Sequence, residues 1–287
     1  MTPLLAGLPL LITAALIGLI IGSFLNVVIH RLPEILHHQW RSEAAAILDR
    51  PPPSDPPPGL AYPGSRCPHC SQPINAWHNL PVISFLLLKG RAHCCHEPIS
   101  WRYPAVELLC GAWFAWCASA YSTDLMQAGL WATWGAVVLA LAWIDWRTYL
   151  LPDGLTQPLL WGSLGASSMG WIPTLPADAL LGAALGYGIL ALPAWLFERL
   201  TGKVGMAPGD FKFLAAVGAG LGWMSVIPVL LLACGVGIAL ALAQRWRGTP
   251  HDSVLGSGAI PFGPAIAAAA VITQIWPNWP MALQWLQ

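Results

Sequence analysis

The sequence is short of charge. Only 9% of its 287 residues are Asp, Glu, Lys or Arg, against about 25% in an ordinary soluble domain, which excludes a fold kept in solution by a charged surface. Basic and acidic residues number 13 each, for a net charge of zero, so no field of one sign marks nucleic acid or another polyanion as a partner. Strand-like alternation is lacking as well, which excludes a barrel of the outer-membrane kind. Gly218, Gly220 and Gly222 follow no strand, so they do not form a nucleotide-binding loop.

What the chain has instead is apolar length. It is 56% hydrophobic, with 17 Trp, 28 Gly and 27 Pro. Apolar runs fall at 4–29, 104–121, 128–145, 154–171, 179–197, 211–223, 225–243 and 259–276. Most approach the roughly 20 residues that span a bilayer as helix, and a helix satisfies its own backbone hydrogen bonds in lipid. The expected fold is therefore an all-α polytopic membrane protein of about eight transmembrane helices. The first run lacks a basic start and leads into a long basic segment, so it reads as an anchor rather than a cleaved leader. Gly182 with Gly186, and Gly218 with Gly222, have the spacing that lets membrane helices pack closely.

Lys and Arg set the orientation, because they stay on the cytoplasmic side. With the N-terminus outside, the 30–103 stretch lies inside with Arg31, Arg41, Arg50, Arg66, Lys89, Arg91 and Arg102. The other inside loops hold Arg147, then Arg199, Lys203 and Lys212, then Arg245 and Arg247, while Asp124 and Asp178 lie outside. The expected domains are residues 1–29 as the first transmembrane helix, 30–103 as a cytoplasmic module between the first and second helices, and 104–287 as the membrane-embedded remainder. Within the module, Pro-rich residues 51–58 separate an amphipathic stretch, 34–48, from a cysteine-containing part, 65–100.

Two constellations could carry chemistry. Cys67-Pro68-His69-Cys70 and His93-Cys94-Cys95-His96 offer thiolates from two knuckles, which suits tetrahedral Zn in a reducing compartment. A regular second knuckle needs Cys where Ala92 stands, so Cys94, His93 or His96 would substitute, and a metal-free loop is the alternative. Cys110, Cys117 and Cys234 read as small apolar residues of spans.

The second constellation is acidic. Asp145, Asp153 and Asp210 lie at the cytoplasmic ends of apolar runs, where a carboxylate is costly and asks for a reason. Capping of a helix start suits Asp153 and Asp210. It fails for Asp145, which meets the negative end of a helix dipole. The functional alternative is a carboxylate pair that shares a proton and activates water against a peptide carbonyl, with Gly209 leaving room for a substrate backbone. An ion-coupled transporter with the three aspartates along its pathway is the rival from another class.

Taken together, these residues resemble the type IV prepilin peptidases, the leader peptidase/N-methyltransferases of the GxGD aspartic type. The resemblance covers about residues 17–270. It rests on Gly22-Ser23-Phe24-Leu25-Asn26 through Leu32-Pro33; Cys67 and Cys70; Pro98-Ile99-Ser100-Trp101-Arg102-Tyr103-Pro104 with Glu107; Asp145 through Leu151-Pro152-Asp153; Gly209-Asp210-Phe211-Lys212; and Pro261-Phe262-Gly263-Pro264. It implies a bifunctional enzyme of the bacterial inner membrane. Such an enzyme removes the basic leader of type IV prepilins or type II secretion pseudopilins after a glycine. It then methylates the new N-terminus with S-adenosylmethionine.

Carried over, the catalytic pair is Asp145 and Asp210 at the cytoplasmic face, supported by Asp153, Gly209 and Lys212. Lys89 and Gly90 are the expected contributors to the methyl-donor site, and Cys67, Cys70, Cys94 and Cys95 the expected zinc ligands. Glu107 is expected to pair with Arg102 or Lys212, and Asn26 and His30 to serve helix packing. The partners implied are prepilin or pseudopilin and the lipid bilayer. The family's first motif glycine is Ala207 here, Pro208 follows it, and Ala92 replaces a cysteine. A non-catalytic pilus-assembly paralogue is the alternative those departures raise. The sequence fixes no oligomeric state.

Overall fold

A computed structural model describes residues 3–67, 69–246 and 261–276. Pro68, Arg247 and the start of the last apolar run lie outside the described residues. Among the described residues the fold is helical, with no strands longer than isolated bridges. The helices are α1 (Pro3–Ile47), α2 (Ile83–Leu87), α3 (Arg102–Ala120), α4 (Leu125–Thr148), α5 (Asp153–Ser168), α6 (Pro176–Thr201), α7 (Pro208–Leu221), α8 (Val226–Trp246) and α9 (Gly263–Ile275).

Proline and glycine punctuate them. Pro176 opens α6 and Pro208 opens α7, positions where the missing N–H costs nothing. Gly202 at φ 68° and Gly222 at φ 84° end the same two helices in conformations that favour glycine. Pro208 is thus an ordinary helix opener in a chain that begins helices this way.

Four helical stretches are long and apolar enough to cross a membrane: 7–47, 125–148, 176–201 and 223–243. The chain is a multi-pass membrane protein. Helices α3, α5, α7 and α9 also coincide with apolar runs but are 19, 16, 14 and 13 residues long. Helix α1 does not stop where its apolar run does. It continues through Pro33 to Ile47 and absorbs the amphipathic stretch.

The chain divides into two compact units, residues 1–140 and 141–287. In the first, α1 packs on α3. Gly18 faces the Cys110 carbonyl and Gly111, and a Cβ on Gly22 would lie 2.7 Å from Glu107 Cα. Asn26 Nδ2 donates to the Gly22 and Tyr103 carbonyls, the packing role expected of it. Cys110 and Cys117 are buried, whereas Cys234, in the second unit, is exposed. Arg31 ties the stretch after the Pro-rich segment to α1 by donating to the carbonyls of Gly59, Pro63 and Gly64.

In the second unit α7 is the hub. Phe213, Leu214, Ala216, Val217 and Ala219 are completely buried, with α5, α6 and α9 packed around them. A helix enclosed on all sides by protein can be short. The two small-residue pairs meet as their spacing implies: a Cβ on Gly182 would run into the Gly218 carbonyl, and one on Gly186 would lie 2.6 Å from the Leu214 carbonyl oxygen. The exposed face of α6 carries Leu180, Leu181, Leu192, Trp195 and Leu196, a surface suited to lipid.

Candidate active site

The second unit gathers four helix ends around Asp145. Helix α4 closes with Tyr149, whose amide donates to the Asp145 carbonyl at 2.9 Å from a left-handed φ of 56°. Such a conformation is uncommon for a bulky residue and is held here by its surroundings. Pro152 then forces an extended entry, and Asp153 is the first residue of α5. Pro208 starts α7 so that Asp210 falls in its first turn. Asp145 and Asp210 are buried at 5% and 8% exposure. They lie near enough for the charge of one to act on the other.

Neither motif aspartate is the N-cap residue of its helix: Pro152 and Ala207 hold those positions without a side-chain cap, while Asp153 and Asp210 fall in the first turns of α5 and α7, at the positive dipole ends. The Asp153 carboxylate instead accepts from Lys212 Nζ at both oxygens, at 2.8 and 2.9 Å. Asp153 thus ties α5 to α7 at the rim, and the buried acids of this unit, among the described residues, are Asp145 and Asp210. A Cβ on Gly209 would lie 2.9 Å from Leu151 Cβ, so the first neighbour that requires glycine there is the α4–α5 connection.

The puzzle of Asp145 at a helix C-terminus has a structural answer. The Gly263 amide, at the start of α9, donates to Asp145 Oδ2 at 2.9 Å. The positive end of α9 therefore offsets the negative end of α4 at this carboxylate. Gly263 and Tyr149 are the neighbours that sequence reasoning missed. The Pro261-Phe262-Gly263-Pro264 block was visible as a motif, but nothing in it named its partner.

In the first unit Glu107 does not pair with Arg102. Its Oε2 accepts the Val82 amide at 2.8 Å, and Ser23 also bonds to the carboxylate. Val82 sits at φ 59°, so a strained backbone site, illegible in sequence, takes the acid. Arg102 lies over the Tyr103 ring instead. His30 Nδ1 lies 3.5 Å from Glu34 Oε1, one turn along α1.

Lys89 and Gly90, at φ 51° and 71°, turn the chain after α2. A Cβ on Gly90 would lie 3.2 Å from the Phe85 ring, and the Gly90 amide and carbonyl bond to Phe85 and Ile99. The glycine is thus required by the turn itself. The exposed Lys89 ammonium suits the carboxylate end of S-adenosylmethionine and nothing more of that molecule.

The cysteine part folds as two matching knuckles. In the first, Cys67 N–H donates to the Gln72 carbonyl and Ser71, at φ 58°, donates back to the Cys67 carbonyl. In the second, Ala92 N–H donates to the Glu97 carbonyl and His96, at φ 59°, donates back to the Ala92 carbonyl. Ala92 thus occupies the place that Cys67 fills in the first knuckle. Cys94 makes up the loss. The Sγ atoms of Cys67, Cys70, Cys94 and Cys95 all lie within 4.8 Å of one another, with Cys70 to Cys94 at 3.2 Å and Cys67 to Cys95 at 3.7 Å.

Ligands about 2.3 Å from a tetrahedral zinc stand about 3.8 Å apart, so this donor set fits the ion. Burial pushes the Cys67 thiol up, but the amides of Cys70 and His69 and the Cys94 and Cys70 thiols outweigh it and bring its pKa down to about 6. Cys94, hydrogen-bonded first of all to Cys70, is pushed up to about 12.

Residues 16–121 match the Bacterial Peptidase A24 N-terminal domain and residues 132–242 the Type IV leader peptidase family. The chain is similar to proteins named prepilin leader peptidase/N-methyltransferase. It is 43% identical to that of Stutzerimonas stutzeri, over 96% of this chain and 95% of the relative. For Aeromonas hydrophila the identity is 44%, over 91% and 89%. For Pseudomonas aeruginosa it is 42%, over 91% and 88%. No solved structure matches.

Proposed function

Because the chain belongs to the type IV leader peptidase family, we propose that it is a prepilin leader peptidase and N-methyltransferase in which Asp145 and Asp210 perform the hydrolysis. The single observation that carries this reading is the burial of both carboxylates, one at the end of α4 and one at the start of α7, within electrostatic reach of each other. Two buried acids at close range do not both ionise, so the pair carries one proton. The ionised member takes a proton from water as its oxygen attacks the scissile carbonyl. The protonated member supports the oxyanion and delivers its proton to the leaving amine, and the C–N bond breaks.

The substrate is a type IV prepilin or a type II secretion pseudopilin, cut after glycine, its basic leader at the cytoplasmic face of the bacterial inner membrane. That side follows from the basic residues, all of which fall in inside loops of an eight-span topology. Helical peptide bonds are poorly exposed to attack. Glycine at the cut lowers the cost of unwinding the substrate there. Asp153, Lys212 and Gly209 support the site by fixing α5, α7 and their connection.

S-adenosylmethionine, when bound, supplies the methyl group for the new N-terminal amine. Lys89 in the cytoplasmic module is the residue we assign to its carboxylate end, with Gly90 shaping the turn that presents it. Cys67, Cys70, Cys94 and Cys95 would hold zinc as a structural clip, joining two knuckles too small to build a core of their own.

Incubating the purified chain with a prepilin in detergent, with and without S-adenosylmethionine, tests the reading by the mass of the product. The expected result is loss of the leader in both reactions and addition of one methyl group only with the donor. An unaltered prepilin would end the peptidase reading and favour a docking paralogue or a transporter.

A further inference from the structure

We propose that the main-chain amide of Gly263 is a positioning group for hydrolysis, which fixes Asp145 as the proton-accepting member of the pair and leaves Asp210 as the proton-donating one. This rests on the peptidase reading above and goes beyond it, because nothing in that reading distinguishes the two acids.

The contact is specific and buried. Gly263 N–H reaches Asp145 Oδ2 at 2.9 Å across a sequence separation of 118 residues. A Cβ at residue 263 would lie 2.7 Å from that oxygen, 3.0 Å from Cγ and 3.1 Å from Cβ of Asp145. Gly263 is not among the residues with positive φ, so the backbone conformation does not explain the glycine. Close approach of its amide to the carboxylate does.

The neighbouring amides are spent or missing. Ala265 and Ile266 both donate to the Phe262 carbonyl, and Pro264 has no N–H. Gly263 is left as the donor that the first turn of α9 directs at Asp145. An amide N–H can only donate, so the bond is strongest when the accepting oxygen is ionised. The proton shared by the pair therefore resides on Asp210. Asp145 takes the proton from water, and Asp210 gives its own to the leaving amine.

The test replaces Gly263 by glycolic acid through nonsense suppression, which changes the amide to an ester and removes the N–H while keeping the shape. The expected result is a kcat for prepilin cleavage lower by about 10- to 100-fold, the size of one charge-assisted hydrogen bond. KM should stay within about twofold, and methylation of pre-cleaved pilin should match the wild type. Gly263→Ala, which puts a methyl group against Asp145, should lose at least as much kcat. Gly235→Ala, with nothing within 4 Å of the new Cβ, should lose none.

An ester variant with wild-type kcat overturns the inference. So does one that loses methylation in parallel, because that marks a fold defect. A wild-type chain that fails to cleave removes the peptidase reading and this inference together. Wild-type cleavage alongside an unimpaired ester variant removes the inference alone.

Discussion

Lys212 Nζ lies 2.8 Å from Asp153 Oδ1 and 2.9 Å from Oδ2, so the residue two places after Asp210 is tied to the first residue of α5. Alternate residues along a helix point to different sides, and α7 thereby turns Asp210 inward and Lys212 to the rim. The pair is open to solvent, with the Asp153 side chain 62% exposed, so its contribution to stability is below about 1 kcal/mol. Its use is geometric: it holds the starts of α5 and α7 in register beside the buried acid.

Lys212→Met should therefore slow cleavage by no more than about tenfold with little change in melting temperature. The reversed pair, Asp153→Lys with Lys212→Asp, should recover part of that rate. Initial rates on a prepilin in detergent measure both. A reversed pair no better than the worse single variant would show that the two residues act separately.

Asp145→Asn and Asp210→Asn should each abolish leader removal while leaving methylation of pre-cleaved pilin intact. The amide keeps the size of the carboxylate but can neither accept a proton from water nor deliver one. The loss should reach at least about 100-fold, within the range for a general acid or base. Product masses from separate cleavage and methylation reactions decide the outcome. Appreciable cleavage by either variant would mean that the hydrolytic pair lies elsewhere.

The order of the helices was legible because apolar length is a local property. Pro208, visible in the sequence only as a departure from the family motif, opens α7, and Gly202 ends α6. The GxxxG spacing likewise led from Gly182 and Gly218 to a real close approach. Contacts made between residues far apart in the sequence were not legible. Asp153 looks like a cap and is an ion-pair partner, because Lys212 reaches it from 59 residues away. Glu107 looks like a partner for a cation and instead takes the amide of a strained valine. Asp145 looked unexplained until α9, folding back from 118 residues further on, supplied the Gly263 amide.

The approach of α6 to α7 gives a stability prediction. A Cβ on Gly182 would collide with the Gly218 carbonyl, and backbone on both sides leaves nothing flexible to yield. Gly182→Ala and Gly218→Ala should each cost about 1 to 3 kcal/mol, the usual range for overpacking. Gly188→Ala, on the same helix with nothing within 4 Å, should be neutral or should stabilise the helix. Melting in detergent separates the two classes. Equal behaviour of all three variants would mean that the helices do not approach so closely.

The displaced fourth cysteine is testable because the two knuckles share the same pair of backbone hydrogen bonds. If Cys94 stands in for the thiolate that Ala92 cannot supply, the protein should carry one zinc per chain. Cys94→Ser should lose most of it, since removing one thiolate leaves three ligands on an ion that prefers four. Adding Ala92→Cys to Cys94→Ser should restore the metal, because residue 92 occupies the same place in its knuckle as Cys67. Metal released by denaturation and titrated with a chromogenic chelator gives the stoichiometry directly, with no dependence on either catalytic activity. Full zinc in Cys94→Ser would show that His93 or His96 completes the site. Failure of the double variant to regain it would show that the second knuckle's shift is fixed by its backbone and not by the identity of residue 92.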